Sequence, residues 1–386
     1  MIALGLSSAD LALFNRSLST HHSVKVTVQI LTLDHAYLGD LTSRLLDGQV
    51  SIDAAAEVTR SLTMQLNDPD GKLQLDSTSP ADGALFYDRM IRVIYSVKST
   101  LLPRWVDVSI FCGPITKMSR TADIINVECQ GKESLALPPT LAYFSRTWAK
   151  GINRAALVKA LMVQMGETRF SFPAYGDRTS GPTTVISETN VWALAKAVNG
   201  SFANRQLFYD GRGVLVMRST PKTPTYTFKT GVGGSITTTP TVDYDIADVR
   251  NVVRVKGAIP KGKKTPVVGT VAIPASHPLT PGRMGRGGKS RILLEVISDD
   301  NIKTVAQARA LAQSRVNALA LQTVDVKFDA LIAPHLEPMD IYRLQTADFS
   351  VLARVTQMTI PLKASTSSIG YLMKRQPNRS RVRRRR

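Results

Sequence analysis

The stretch VKVTVQIL at residues 24–31 alternates Val24, Val26, Val28 and Ile30 with Lys25, Thr27 and Gln29. A period of two puts the aliphatic side chains on one face of an extended chain and the polar ones on the other, which predicts a half-buried strand. The same style returns in SLTMQL, MIRVIYSV, WVDVSIFCG and IINVEC before about residue 130. SLTMQL runs into NDPDG, where Pro69 presets φ and Gly71 admits a positive φ, so a tight turn is expected there. Short strands at this turn-punctuated spacing predict an antiparallel barrel or sandwich.

After LPPT the period changes. NRAALVKALMVQMGE reads as a helix with Asn153 as its N-cap and Gly166 just past its end, and NVWALAKAVNG as a second with Trp192, Ala195 and Val198 on one face. RQLFYDGRGVLVMRS then reads as a hairpin turning at its DG. A strand in DVRNVVRVKG leads into a long Gly/Pro-rich segment, KGKKTP to GRMGRGGKSR, expected to be a mobile insertion in a β region. Thr304 followed by Gln307 predicts a capping box opening a helix in VAQARALAQSRVNALAL, with Val305, Ala308, Ala312, Val316 and Leu319 facing a barrel. Strands return in VDVKFDAL, DIYRLQT and VLARVTQMTIPL.

A chain of 386 residues exceeds one ordinary core, so several domains are expected. The fold class is α+β, mainly β, with an inserted helix–hairpin unit. The expected division is 1–145, an N-terminal β-barrel; 146–220, a small α+β unit; 221–301, a β domain with the basic insertion; 302–373, a helix plus a second β-barrel; and 374–386, a basic arm. No uncharged apolar run reaches the ~18 residues of a membrane helix, and MIALGLSSADLALFN lacks the basic start and apolar core of a signal peptide, so folding in a cytoplasm is expected.

The formal charge of +19 is the kind that marks nucleic-acid binders, but its distribution is uneven. Residues 249–294 hold ten cations and no acid: Arg250, Arg254, Lys256, Lys261, Lys263, Lys264, Arg283, Arg286, Lys289 and Arg291. The end, KRQPNRSRVRRRR, adds eight more: Lys374, Arg375, Arg379, Arg381, Arg383, Arg384, Arg385 and Arg386. Setting these ten and eight aside leaves +1 for the remaining chain. The scaffold is nearly neutral, and the basic character belongs to one segment and one arm.

Nothing in the sequence assembles catalytic chemistry. The histidines His21, His22, His35, His277 and His335 carry no motif, His277 and His335 lie beside prolines and are expected as solvated loop residues, and HExxH and GxSxG are absent. LNDPDG would place Leu66 and Ser77 where a calcium loop needs carboxylates. GRMGRGG lies between HPLTP and RILLEVI, whereas a phosphate cradle opens a helix. The acids of DYDIAD (Asp243, Asp245, Asp248) have no evident partner and read as a polar strand edge. Cys112 and Cys129 are too few for a tetrahedral metal site and are expected as buried reduced thiols; no cofactor is expected.

Four stretches in order carry a resemblance: DGQVSIDAAAEVTRSLTMQLNDPDGKL followed by DRMIRVIYSV, with its Gly-led strand, Arg-led strand, DP-G turn and IRV strand; NVWALAKAVNGSFANRQLFYDGRGVLVMRSTP; VRNVVRVKG; and the helix at 304–321 running into VKFDALIAPHLEPMDIYRL. Together the chain resembles the baseplate-hub proteins of long-tailed bacteriophages, relatives of the hub part of contractile-tail and type VI secretion spikes. The resemblance implies two tube-like β-barrels per subunit and a homotrimer whose six barrels match a sixfold tail. The implied partners are a distal tail protein, a tape-measure protein and a central fibre or spike, at the distal tip of the virion tail. The basic insertion and arginine arm are departures from that family pattern. Both are expected to meet an acidic partner or DNA passing through the tail.

Two other classes stay open. A nucleic-acid binder would interleave aromatic platforms with its cations, but 249–294 and 374–386 contain no Phe, Tyr or Trp, leaving phosphate contact alone. A tail-associated cell-wall hydrolase would need a catalytic constellation that the sequence does not display.

Overall fold

Ser7 begins the first element. Its hydroxyl accepts from the Asp10 backbone N–H and starts α1 (Ser8–Ser17), a helix that the strand-dominated pattern did not announce. The computed structural model describes residues 2, 4–73, 85–179, 181–200, 205–219, 221, 223–243, 249–277, 279–300, 302–319, 325–338, 340–347, 349–363 and 368–376.

The N-terminal strands are β1 (Ser23–Thr32), β2 (Tyr37–Asp40), β3 (Leu45–Asp53), β4 (Arg60–Asn67), β5 (Arg89–Lys98), β6 (Val106–Thr121) and β7 (Ile124–Gln130). Val26, Val28 and Ile30 of β1 are buried, as their alternation requires. In β4, Leu62, Met64 and Leu66 point inward while Ser61, Thr63 and Gln65 face out. Each such buried leucine contributes about 1.5–3 kcal/mol. The turn after β4 has Gly71 at φ +65°, as NDPDG predicts.

The middle of the chain contains β8 (Arg146–Trp148), α2 (Arg154–Gln164), β9 (Phe170–Ser171), β10 (Thr183–Val185), α3 (Val191–Gly200), β11 (Arg205–Tyr209) and β12 (Leu215–Ser219). Asn153 caps α2 by accepting from the Ala156 N–H, and Gly166 follows its end at φ +84°. Trp192, Ala195 and Val198 lie on the buried face of α3, and β11 pairs with β12 as the expected hairpin. These elements share a core that includes Leu157, Leu161, Trp192 and Leu215.

Next come β13 (Tyr226–Lys229), β14 (Thr241–Asp243), β15 (Val252–Lys256), β16 (Val268–Ala272), β17 (Leu294–Ser298) and α4 (Val305–Leu319). The segment expected as a mobile insertion supplies instead the β15–β16 and β16–β17 connections of a three-stranded sheet. The capping box forms: Gln307 N–H donates to the Thr304 hydroxyl and Thr304 N–H to the Gln307 side chain. The apolar face of α4 does not lie against a barrel, as the sequence led us to expect. Ala308, Ala312 and Val316 pack on Val253 and Val255 of this small sheet in a core of their own. Gly269 permits the contact, since a Cβ there would fall 2.5 Å from the Ala308 carbonyl carbon.

The last strands are β18 (Asp325–Leu331), β19 (Ile341–Gln345), β20 (Ser350–Pro361) and β21 (Ser368–Gln376). Among the described residues the main sheet follows the path β14-β18-β21-β20-β3-β4-β7-β6-β5-β1-β2, with β19 on β20 and β13 parallel to β19. The β3–β20 ladder, for example Val50 opposite Ile360, joins the two ends of the chain into one sheet with one continuous core. The fold is mainly β and α+β, built on antiparallel ladders. Among the described residues no helix is long and apolar enough to cross a membrane.

Candidate functional site

The ten cations of 249–294 are gathered on the small sheet and its connections. Arg254 and Lys256 stand on β15, Lys261, Lys263 and Lys264 on the β15–β16 connection, and Arg283, Arg286, Lys289 and Arg291 on the connection to β17; all nine are exposed. Arg250 is half-buried just before β15 and donates to the Val249 carbonyl. The GRMGRGG stretch is a turn closed on itself between Arg286 and Lys289. Asn251, fully buried, ties it to the sheet by donating to the Arg291 carbonyl at 2.9 Å and accepting from the Leu293 N–H at 2.8 Å.

Pairing register fixes which face each side chain takes. Val253, Val255, Val271 and Ile297 take the α4 side, with Glu295 beside Val253 bound to Arg315 of α4 at 2.7 Å. The opposite face carries Arg254 between Thr270 and Val296, and Lys256 between Val268 and Ser298, with Leu294 beside Val252. Val268, Leu294 and Val296 are 40%, 38% and 47% exposed, and Ile292 just outside the strand 60%. One face of this sheet is therefore covered by a helix, and the other presents aliphatic and cationic side chains to solvent.

A second feature holds the middle unit on the main sheet. Arg60 occupies the first inward position of β4, in phase with Leu62, Met64 and Leu66. Its guanidinium pairs with buried Glu337 and donates to the Tyr209 carbonyl at 2.5 Å, so three distant parts of the chain meet on one side chain. Beside it Arg218 pairs with fully buried Asp340 at 2.7 Å. Ser109 donates to the Gly211 carbonyl at 2.8 Å, and a Cβ at Gly211 would come within 2.2 Å of the Ser109 carbonyl oxygen, so only glycine allows the hairpin to dock this closely. Lys132 pairs with Glu167 at 2.7 Å and reaches His35 at 3.0 Å, with Arg169 on the other ring nitrogen at 3.0 Å.

This junction resembles a nucleophilic site because Cys112 Sγ lies 3.8 Å from His35. The electrostatics oppose that reading. Burial pushes the Cys112 thiol up to about 11, while burial, then Lys132 and Arg169, lower the His35 imidazole to about 4. Thiol and imidazole both stay neutral near pH 7, whereas a reactive cysteine needs a stabilised thiolate. Cys112 and Cys129 are both buried and free, as expected. His335, expected as a solvated loop residue, is instead fully buried against Phe14 and Tyr226, and burial lowers it to about 3. His277 lies in a loop and accepts from the Leu279 N–H. Asp243 ends β14 and pairs with Lys327 at 2.8 Å, while Asp245 and Asp248 lie outside the described residues. Among the described residues no group of three His, Cys, Asp or Glu side chains could hold a metal ion.

Lys374 and Arg375 belong by backbone to β21, opposite Asp325 and Ala353 respectively, because the strand's ladder continues to Gln376. Arg379, Arg381, Arg383, Arg384, Arg385 and Arg386 lie outside the described residues. Sequence reasoning missed the junction ions. The available signal was Arg60 in phase with buried leucines; Glu337 lies 277 positions away with nothing local to mark it.

No family model and no curated protein matches the chain. Solved structures do. A tail protein from Neisseria meningitidis MC58 superposes with a TM-score of 0.61 at 9% identity, covering 91% of this chain and 96% of that one. The 43 kDa tail protein of prophage MuSo2 from Shewanella oneidensis gives 0.57 at 10% identity, over 90% and 98%. Prophage tail protein gp18 from Listeria monocytogenes EGD-e gives 0.53 at 9%, over 92% and 95%. The chain therefore shares its fold with these phage and prophage tail proteins over nearly its whole length.

Proposed function

We propose that a chain with this fold is a structural virion protein, a trimeric baseplate hub at the distal tip of a phage tail tube. The observation that carries the reading is end-to-end superposition on tail proteins of matching length. The open path of the main sheet agrees with it, since the edge strands β2 and β14 have no outer partner among the described residues and neighbouring subunits would cover them. Three subunits, each with two tube-like β units, would give the sixfold match, and cyclic symmetry would close the ring. Its partners would be a distal tail protein, a tape-measure protein and a central fibre or spike. In this reading the protein works by contact rather than catalysis, and the buried, neutral Cys112 and His35 pair does not supply the thiolate that a cysteine hydrolase would need.

Sedimentation of the purified protein tests the reading. A particle of about 126 kDa, three chains of 42.1 kDa, is expected. A stable monomer at micromolar concentration overturns it.

A further inference from the structure

The outer face of the β16-β15-β17 sheet is left uncovered by the fold, and its chemistry is specific. Register places Arg254 next to Val296 and Lys256 next to Val268, so cations and aliphatic side chains alternate across neighbouring strands rather than forming separate zones. Seven further cations surround the face on its connections: Lys261, Lys263, Lys264, Arg283, Arg286, Lys289 and Arg291. Among the described residues none of these nine cations carries an ion pair, and the sheet's own acid, Glu295, is held on the opposite side by Arg315.

We infer that this face binds an extended acidic segment of another protein, one that carries carboxylates and aliphatic side chains in turn at every second position, so that both kinds point to the sheet. Charge complementarity selects the occupant. The chain's own C-terminal arm is cationic and would be repelled, and two copies of this face set against each other would oppose like charges. A phosphate backbone could meet the cations but would leave Val268, Ile292, Leu294 and Val296 facing water. The segment also has no Phe, Tyr or Trp ring on which a base could stack. An acidic, aliphatic strand satisfies both halves of the pattern, with carboxylates on Arg254 and Lys256 and apolar side chains on the exposed ladder. The inference concerns the sheet face alone and stands whether or not the chain trimerises.

The test uses the full chain and a fluorescein-labelled peptide of about ten residues with glutamate and valine in turn at every second position and serine between them, long enough to span the sheet. The controls are an all-glutamate peptide and a duplex DNA of similar length. The alternating peptide is expected to bind more tightly than the all-glutamate one. Arg254→Glu with Lys256→Glu should weaken it about tenfold or more, since opposed charges become like charges. Val296→Ser should weaken it about threefold or more through lost apolar contact. Lys98→Glu, an exposed cation at the end of β5, should leave binding unchanged. All these side chains are exposed, so thermal melting should not move. Three results overturn the inference: preference for the all-glutamate peptide, equal loss in Lys98→Glu, or DNA binding that falls in the charge-reversed variant while Val296→Ser is silent and the peptide does not bind. The last would assign the face to phosphate. Sedimentation mass is independent of all three, so failure here and failure of the hub reading are told apart.

Discussion

Replacing Glu337 by leucine tests whether the Arg60 junction holds the middle unit to the main sheet. The side chains of Arg60 and Glu337 are 3% and 1% exposed, so removing the carboxylate strands a guanidinium in a buried site with the Tyr209 carbonyl as its remaining bonded acceptor among the described residues. Breaking a buried pair in this way costs about 3–5 kcal/mol. The pair is not fully satisfied, since among the described residues Arg60 Nε and Glu337 Oε1 have no hydrogen-bond partner. The double variant Arg60→Met with Glu337→Leu removes both charges and should therefore recover most of the loss, to within about 1 kcal/mol of the natural chain. A surface comparison sets the scale: Lys117 and Glu128 also meet at 2.8 Å but are 67% and 48% exposed. Uncoupling them should cost less than about 1 kcal/mol. Urea unfolding followed by tryptophan fluorescence reads the effect, because Trp192 lies 5.8 Å from Tyr209, beside the junction. A Glu337→Leu loss no larger than that of the surface pair, or a double variant as weak as the single one, would refute the reasoning.

Gly269→Val should loosen α4 from the small sheet, because the new side chain would enter the Ala308 backbone; a loss of about 2–4 kcal/mol is expected, read as faster amide exchange in 305–319 with β4 and β5 unchanged. Thr304→Ala removes half of the capping box and should cost about 1 kcal/mol in the same exchange assay. His335 and His35 are both lowered below their ordinary value near 6.5, so the unfolded chain takes up protons that the folded one refuses. Stability is complete above about pH 6.5 and falls as pH drops towards 4 for His35 and 3 for His335, the latter by up to about 1.4 kcal/mol per pH unit. Urea midpoints from pH 7.5 to 4 in the natural chain and in His335→Leu check this; the variant should show the shallower slope.

Short-range pattern settled much of the architecture. The alternation in β1 and β4, the Gly71 turn, the Asn153 and Thr304 caps and the hairpin of β11 and β12 are decided by residues within a few positions of one another, so period and capping chemistry suffice to read them. The charge map was equally legible, because the segregation of cations into 249–294 is a property of the sequence itself. Helix α1 was missed although Ser7 and Asp10 mark its start, since the opening residues show weak periodicity. Tertiary structure decided what each pattern faces. The apolar stripe of α4 fits any flat apolar surface, and it went to β15 and β16 because Gly269 lets the helix approach there. Burial of His335, the meeting of Arg60 with Glu337 and the joining of β3 to β20 depend on contacts across hundreds of positions, where no local signal exists. Whether Arg254 and Lys256 stand apart from Val296 or beside it likewise follows from strand register alone, and that register turns a run of charge into a patterned surface.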